Sequence, residues 1–269
     1  MKRIYDTIFN GATSAFASHK KPGIFIATRE NMHFHILSNL DRATAAKLGN
    51  HLAEFVTAQK LASMARVLAE RTRAVTVVLE DIFQPHNTSA VIRSCECIGV
   101  QDVHVIENQH PYTVNRDVVM GAVKWIDLHR YNLTDGLNTE RCLKGLKARG
   151  YRIVATALGD DTTPLPEIPV DANLAVVFGT EETGLSEAAQ ALSEYRLKIP
   201  MYGFTQSFNI SVSAALCLYD ICGRMRATRS DWQLTEDESK QLELTWLMKT
   251  VRNSEIVARR FLDDIEERA

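Results

Sequence analysis

No stretch of this sequence stays apolar for the roughly 20 residues that a membrane-crossing helix needs, so no membrane partner is expected. Neither sign of charge is in excess: 31 Lys and Arg stand against 33 Asp and Glu, a formal net charge of -2. A chain so balanced has no global attraction for nucleic acid, and contact with a polyanion must come from local basic patches. Cysteine is scarce and unpatterned. The five residues, Cys95, Cys97, Cys142, Cys217 and Cys222, are odd in number and form neither C-x-x-C pairs nor a cluster with histidine. They read as reduced residues in the core of a cytoplasmic protein, with no disulfide framework and no metal expected. Dinucleotide and P-loop glycine patterns are missing, which counts against NAD and ATP chemistry. Repeats and low-complexity tracts are missing too. The opening MKRIYDTIFNGATSAFAS starts basic and ends on small residues, but Asp6, Asn10 and Gly11 interrupt it, so a cleaved signal peptide is not expected.

What is present is ordinary in bulk: 269 residues, 45% hydrophobic and 24% charged, enough for one large soluble domain with appendages. Residues 1–45 have little sustained periodicity and carry the breaker Lys20-Lys21-Pro22-Gly23. From Thr44 to Arg73 the pattern is helical, with Leu48, Leu52, Phe55, Val56 and Val67 near a 3.6-residue period. Val75 to Leu79 reads as a strand, followed by a polar loop and a helix from Thr88 to Ile98 that Gly99 stops. Further strands are expected at Val103 to Ile106, Tyr151 to Ala157 and Leu174 to Phe178, and further helices at Thr139 to Arg149 and Ser186 to Glu194. Continuous apolar strands alternating with helices indicate an α/β protein with a parallel sheet covered on both faces. Thr235 to Asp264 is charged and helical, with Leu242, Leu244, Trp246, Leu247, Val251 and Leu262 as its apolar content. The expected division is an extension at 1–45, a helical flank at 46–74, the α/β domain at 75–228 and a second helical flank at 229–269.

Three segments hold more polar residues than a core needs. In VVLEDIFQPHNTSAVIRSCECIGV, Val77 to Val100, a strand leads into a helix whose Val91, Ile92, Cys95 and Ile98 form the expected buried stripe. Asn87 stands where an N-cap belongs, and capping and a functional role are equally open to it. Arg93 lies off the stripe, one turn beyond Ser89, as a solvated arginine or a working one. In LAVVFGTEETGLSEAA, Leu174 to Ala189, a strand enters a turn holding Gly179, Glu181 and Gly184, at the strand end where open α/β sheets bind ligands. In IPMYGFTQSFNISVSAALCLYD, Ile199 to Asp220, a short strand is expected to pass through a polar loop into a helix burying Val212, Ala215, Leu216 and Tyr219. Gln206, Ser207, Asn209 and Ser211 gather at the start of that helix, where free backbone N–H donors suit a polar ligand.

In chain order these segments spell N-x-x-A-x-x-R over Asn87 to Arg93, F-G-x-E-x-x-G over Phe178 to Gly184, and I-P-M-x-G-x-x-Q-S-x-N-x-S-V over Ile199 to Val212. The order resembles the three motifs of the SPOUT-superfamily ribose 2′-O-methyltransferases, most nearly the TrmH branch that modifies guanosine in tRNA. The resemblance covers about Val75 to Thr228, and Lys124-Trp125 and Ala155 to Leu158 are also similar to family segments between the motifs. It implies a Rossmann-like parallel sheet with a deep C-terminal trefoil knot, flanked by N- and C-terminal helices, and an obligate homodimer with sites near the subunit interface. Pattern reasoning alone does not lead to a knot. The implied methyl donor is S-adenosyl-L-methionine, held in the knot. By the same resemblance Thr156, Gly179, Ile199, Met201 and Phe208 line the cofactor pocket, largely through backbone groups. Asn87, Arg93, Glu181, Ser207 and Asn209 form the catalytic constellation. Phe208 replaces the leucine more usual in Q-S-L-N, which alters the shape of the adenosine pocket and little else.

The implied reaction is methylation of a ribose 2′-hydroxyl in RNA, at guanosine 18 of the tRNA D-loop. The alternatives are ribosomal RNA, another tRNA position, or a non-catalytic knotted RNA-binding protein. The family's proposed base is the arginine of the first motif, here Arg93. An arginine needs its pKa lowered by about five units, roughly 7 kcal/mol, to act as a base at neutral pH. The competing role is a cation that orients phosphate and ribose and stabilises developing alkoxide charge. RNA contact falls to basic clusters: Arg66, Arg71 and Arg73 before the core, Arg116, Lys124 and Arg130 within it, and Arg224, Arg226 and Arg229 after it. The flanking helices resemble those with which this branch grips tRNA.

Overall fold

The structure, a computed structural model, describes residues 36–37, 40–113, 115–119, 121–159, 161–180 and 182–267. Two helices come first, α1 (Arg42–Ala53) and α2 (Ala58–Leu68). Then follow β1 (Val75–Glu80), α3 (Pro85–Ile98), β2 (Asp102–Ile106), the single-turn α4 (Arg116–Val119), β3 (Asp127–Tyr131), α5 (Asn138–Ala148), β4 (Arg152–Thr156), β5 (Thr163–Pro164) and β6 (Leu174–Phe178). The chain continues through α6 (Glu187–Leu192), β7 (Tyr195–Lys198) and α7 (Ile210–Thr228), and ends in α8 (Glu236–Thr250) and α9 (Ser254–Glu266).

The strands make one 7-stranded sheet in the order β3-β2-β1-β6-β4-β7-β5, and every pairing in it is parallel. Successive side chains of a strand point to opposite faces, and the core divides accordingly. Val75, Val77 and Leu79 with Leu174, Val176 and Phe178 pack under α3 and α7. Val78, Ala175, Val177, Ile153 and Ala155 pack under α5 and α6. β3 and β5 escaped the sequence reading because runs such as DLHRY are polar and only half-buried, as suits strands away from the centre. The strand expected to begin at Ile199 ends instead at Lys198.

Helix ends differ from expectation for definable reasons. α3 starts at Pro85, not Thr88, because proline's fixed φ suits the first helical position. Gln84 occupies the N-cap without a side-chain bond, so Asn87 lies inside the first turn and is not a cap. Gly99 ends the helix at φ 90°, as expected. The helix expected from Thr44 to Arg73 is two: Asp41 caps the first, and Thr57, accepting from the Lys60 N–H, caps the second. The C-terminal stretch is also two, divided at Asn253, whose φ is 55°.

The two flanks form one body. Leu48, Leu52, Met64 and Leu68 from α1 and α2 pack with Leu242, Trp246, Leu247 and Met248 of α8 and Ala258 of α9. Arg71 ties this body to the sheet: with 0% of its surface exposed, it donates to Glu96 Oε1 at 3.1 Å and lies 5.4 Å from the Trp246 ring. Arg73 bridges Asp102 at 3.1 Å and Asp127 at 2.7 Å.

Beside that bridge, Asp102 also meets His129 Nε2 at 2.6 Å, and His104 stacks on His129 at 4.5 Å with Nδ1 3.2 Å from the Tyr131 hydroxyl. Burial pushes the Asp102 carboxyl up, but His129 and Arg73 outweigh it and hold the pKa well below the usual carboxylate range. Burial first, and His129 next, push His104 well below an ordinary histidine. Both groups therefore bind fewer protons folded than unfolded, and stability is lost as pH falls, through the histidine range before the carboxylate range. Thermal melts should show a midpoint falling as pH drops from about 7 to 5, the window in which an unfolded histidine charges. The variant His104→Gln should flatten that slope, and an unchanged slope would show that His104 titrates as freely in the fold as in the unfolded chain.

Candidate functional site

The carboxyl ends of three neighbouring strands bring together residues far apart in sequence. Thr156 closes β4 and donates from Oγ1 to the Val177 carbonyl of β6 at 2.9 Å. Gly179 follows β6, and Ile199 follows β7, whose Leu197 carbonyl accepts from the Ala157 N–H at 2.9 Å. Thr156, Gly179 and Ile199 thus share one rim, at the end of a parallel sheet where ligands bind. Gly179 is required sterically: a Cβ there would lie 2.3 Å from the Gly184 carbonyl oxygen, because Gly184 pairs with Thr180 and so passes close to the strand end. Met201 and Phe208 belong to the irregular segment 199–209. No backbone–backbone hydrogen bond among the described residues involves 199–208.

That segment ends where α7 meets α3. Asn209 caps α7, accepting from the Ser211 N–H at 2.8 Å and the Ser211 hydroxyl at 2.6 Å. Its Nδ2 donates to Asn87 Oδ1 at 3.2 Å, and Asn87 Nδ2 donates to Gln84 Oε1 at 3.4 Å. Two residues 122 positions apart are therefore joined at the starts of two packed helices. Ser207 is exposed just before the cap, and Glu181 lies outside the described residues.

The inward face of α7 corrects the sequence reading. Ile210, Ala214, Cys217, Leu218, Ile221, Cys222 and Met225 are buried, whereas Val212, Leu216 and Tyr219 are exposed, Tyr219 by 79%. Ala215 lies between the two faces and lines a crevice of about 320 Å³ with Ala90, Arg93, Ser94, Cys97 and Val118. Arg93 is exposed there, whereas Asn87 of the same helix is buried. Ile98, expected in the buried stripe, is half-buried at the edge of the same crevice.

The basic candidates divide sharply. Arg66 and Lys124 are exposed. Arg71 is fully buried and has no surface for RNA, which overturns its assignment. Arg73 is committed to its two aspartates, Arg224 to Asp220 and the Ile168 and Leu165 carbonyls, and Arg226 to the Ile98 and Glu70 carbonyls. Arg130 is held bidentate by Glu107, Arg229 by Asp231, and the Arg116 side chain lies outside the described residues. Cys95, Cys142, Cys217 and Cys222 are buried free thiols, and burial pushes Cys142 and Cys217 up to about 12. Cys97 is exposed. Among the described residues no group of three or more His, Cys, Asp or Glu converges as a metal site, and no helix is long and apolar enough to cross a membrane.

Two residues at the site went unread in the sequence. Glu80, buried at the end of β1, accepts from Thr139 Oγ1 at 2.6 Å and from the Ser186 N–H at 2.9 Å and hydroxyl at 2.7 Å. Asp81, at φ 52°, accepts from the N–H groups of Asn108 and Gln109, each at 2.7 Å. The pair fastens the neighbouring loops to the centre of the sheet, and an acidic pair ending a VVL run was the available signal.

The model of the SpoU rRNA Methylase family matches residues 74–219, from the start of β1 into α7. Over 206 residues the chain is 41% identical to the tRNA (guanosine(18)-2'-O)-methyltransferase of Borreliella burgdorferi, covering 77% of this chain and 92% of that one. The solved TrmH/SpoU tRNA modifying enzyme of A. aeolicus superposes with a TM-score of 0.64 at 26% identity, over 72% of this chain and 98% of its own. The SpoU methyltransferase AviRb of Streptomyces viridochromogenes, solved in complex with AdoMet, has a TM-score of 0.51 at 21% identity, over 60% of this chain and 64% of its own, a likeness of fold.

Because Gly179 faces backbone, Gly179→Ala should destabilise the protein by about 1–3 kcal/mol, the usual cost of overpacking. Gly203→Ala, with nothing within 4 Å of the added carbon, should leave stability unchanged in the same denaturant titration. Equal midpoints for the two would mean that the turn yields freely.

Proposed function

The chain belongs to the SpoU rRNA Methylase family, and we propose that it transfers a methyl group from S-adenosyl-L-methionine to the ribose 2′-hydroxyl of guanosine 18 in tRNA, in the cytoplasm. The observation that carries this reading is the 3.2 Å bond from Asn209 to Asn87, which joins the first and third motifs beside the strand ends of the sheet. The tRNA and the position rest on the name of the Borreliella burgdorferi relative, 41% identical over 92% of its length.

The residues present suit the cofactor. Thr156, Gly179 and Ile199 ring one strand-end rim, and the unbonded backbone of 199–208 offers donors and acceptors to an adenosine, with Met201 and Phe208 beside it. Bound S-adenosylmethionine supplies an electrophilic methyl group on a sulfonium centre. Asn87, Ser207 and Asn209, with Glu181 by resemblance, orient the ribose. Arg93 meets substrate phosphate and the charge that develops on the 2′-oxygen, and in-line positioning of hydroxyl and methyl contributes the rest of the acceleration.

A second copy of the chain completes the reading. α7 is apolar on its outer face as well as its inner one, and Val212, Leu216 and Tyr219 on that outer face support a homodimer seated there. The crevice of Arg93 borders this face through Ala215, which puts Arg93 near the join. A trefoil knot is part of the same proposal. β7 lies next to the sheet edge, yet α7 packs on α3 near the centre, so residues 199–209 return across the strand ends along a route that supports threading.

Labelled S-adenosylmethionine should mark tRNA as 2′-O-methylguanosine, and a transcript with a 2′-deoxy sugar at position 18 should take no label. Label on ribosomal RNA alone would move the substrate, and cofactor binding without label would make the chain a binding protein. Arg93→Ala should lower kcat by about 100-fold or more with cofactor affinity retained. Leu216→Arg should convert a dimer into monomers in sedimentation, and a surviving dimer would place the interface elsewhere.

A further inference from the structure

A second cleft, which shares no lining residue with the crevice of Arg93, lies where the helical body meets the sheet. It measures about 130 Å³ and is lined by Lys60 and Ser63 of α2, Glu96 of α3, Trp125, and Trp246 of α8, among others. The two indoles meet edge to face at 5.4 Å. The ammonium groups of Lys60 and Lys124 stand 4.6 Å and 4.8 Å from the centre of the Trp125 ring. The two cations are therefore within about 10 Å of each other, one Debye length at 0.1 M salt. Trp246 Nε1 and Arg71 Nε are buried at this junction with no acceptor among the described residues. A buried N–H without an acceptor carries a desolvation cost that an incoming ligand atom relieves.

An occupant that answers these features has a flat ring for Trp125, an acceptor atom for Trp246, which lines the cleft, and a negative charge for the lysines. We propose that the cleft holds one unstacked nucleotide of the RNA substrate, its base beside Trp125 and its phosphate between Lys60 and Lys124. Single-stranded loops are recognised in this way, by stacking on aromatic side chains with cations on the backbone. Glu96, which accepts from Arg71 through Oε1, lines the cleft and is an acceptor for a base N–H. The inference rests on the reading of the chain as an RNA methyltransferase, and adds a grip on the RNA through residues that the methyl-transfer site does not use.

The test uses the full chain. Ser63→Trp fills the cleft and Lys60→Glu reverses its charge; each should weaken tRNA binding by roughly tenfold, the weight of one stacked base. Cofactor affinity, and kcat at saturating tRNA, should stay at the wild-type values. Lys60→Ala should lessen the dependence of log Kd on log salt by about one. Photocrosslinking of bound tRNA should label the peptides bearing Lys60 or Trp125. Wild-type tRNA affinity in both variants, with methyl transfer intact, overturns the cleft and leaves the enzymatic reading standing. A wild-type chain that binds no RNA overturns both. If Ser63→Trp disturbs the helical body, as circular dichroism would show, Lys60→Glu on the rim decides alone.

Discussion

The return of α7 onto α3 is the contact on which the rest of the site depends. Apolar burial drives it: Ala214, Cys217, Leu218 and Ile221 close over Val91, Ile92 and Cys95, completing the core on one face of the sheet. At about 25 cal/mol per Å² of apolar surface, burial on this scale far outweighs any single polar bond. Once the two helices are packed, their starts are held side by side, and Asn209 reaches Asn87 without further adjustment. The hydrogen bond reports the packing more than it causes it, since a neutral pair contributes only about 1 kcal/mol net.

Parallel pairing sets the second condition. With every strand running the same way, all carboxyl ends fall on one edge, and the loops that leave them converge. Those loops need fastening, because they carry polar groups and little apolar weight. Glu80, at the end of β1, and Asp81, just after it, supply it, each accepting several hydrogen bonds from segments that share no secondary structure. Gly179 adds a steric condition, the close passage of the Gly184 backbone. The rim is thus held by acceptors and by a missing side chain, and 199–208 makes no backbone–backbone hydrogen bond among the described residues.

The arginines show how burial divides residues of one formal charge. Arg71 and Arg73 are two positions apart in sequence and look alike as members of a basic cluster. In the fold Arg71 is interior, linking α3 to the helical body, and Arg73 neutralises two aspartates. Arg224 and Arg226 are taken up by carbonyls at helix and loop ends. Arg66 and Lys124 stay exposed, so fewer of the basic candidates face solvent than charge counting offers.

Much of this was legible along the chain. Val75 to Leu79 and Leu174 to Phe178 announce buried strands by their unbroken apolar runs, Gly99 marks a helix end, and three motifs in fixed order identify the methyltransferase family and its polar residues. The outer strands were not legible, because half-buried strands with polar residues carry a weak pattern. Nor was the inner face of α7, where 214, 217, 218 and 221 compete with 212, 216 and 219 at the same helical spacing. The sequence by itself determined which residues are apolar, which are polar, and that the strands run parallel under helices, since period and composition are local properties. Only the tertiary structure decided which apolar stripe turns inward, which arginines lose their solvent, and that Asn87 and Asn209 meet. Those outcomes depend on what each surface is packed against, and no short window of sequence contains its own partner.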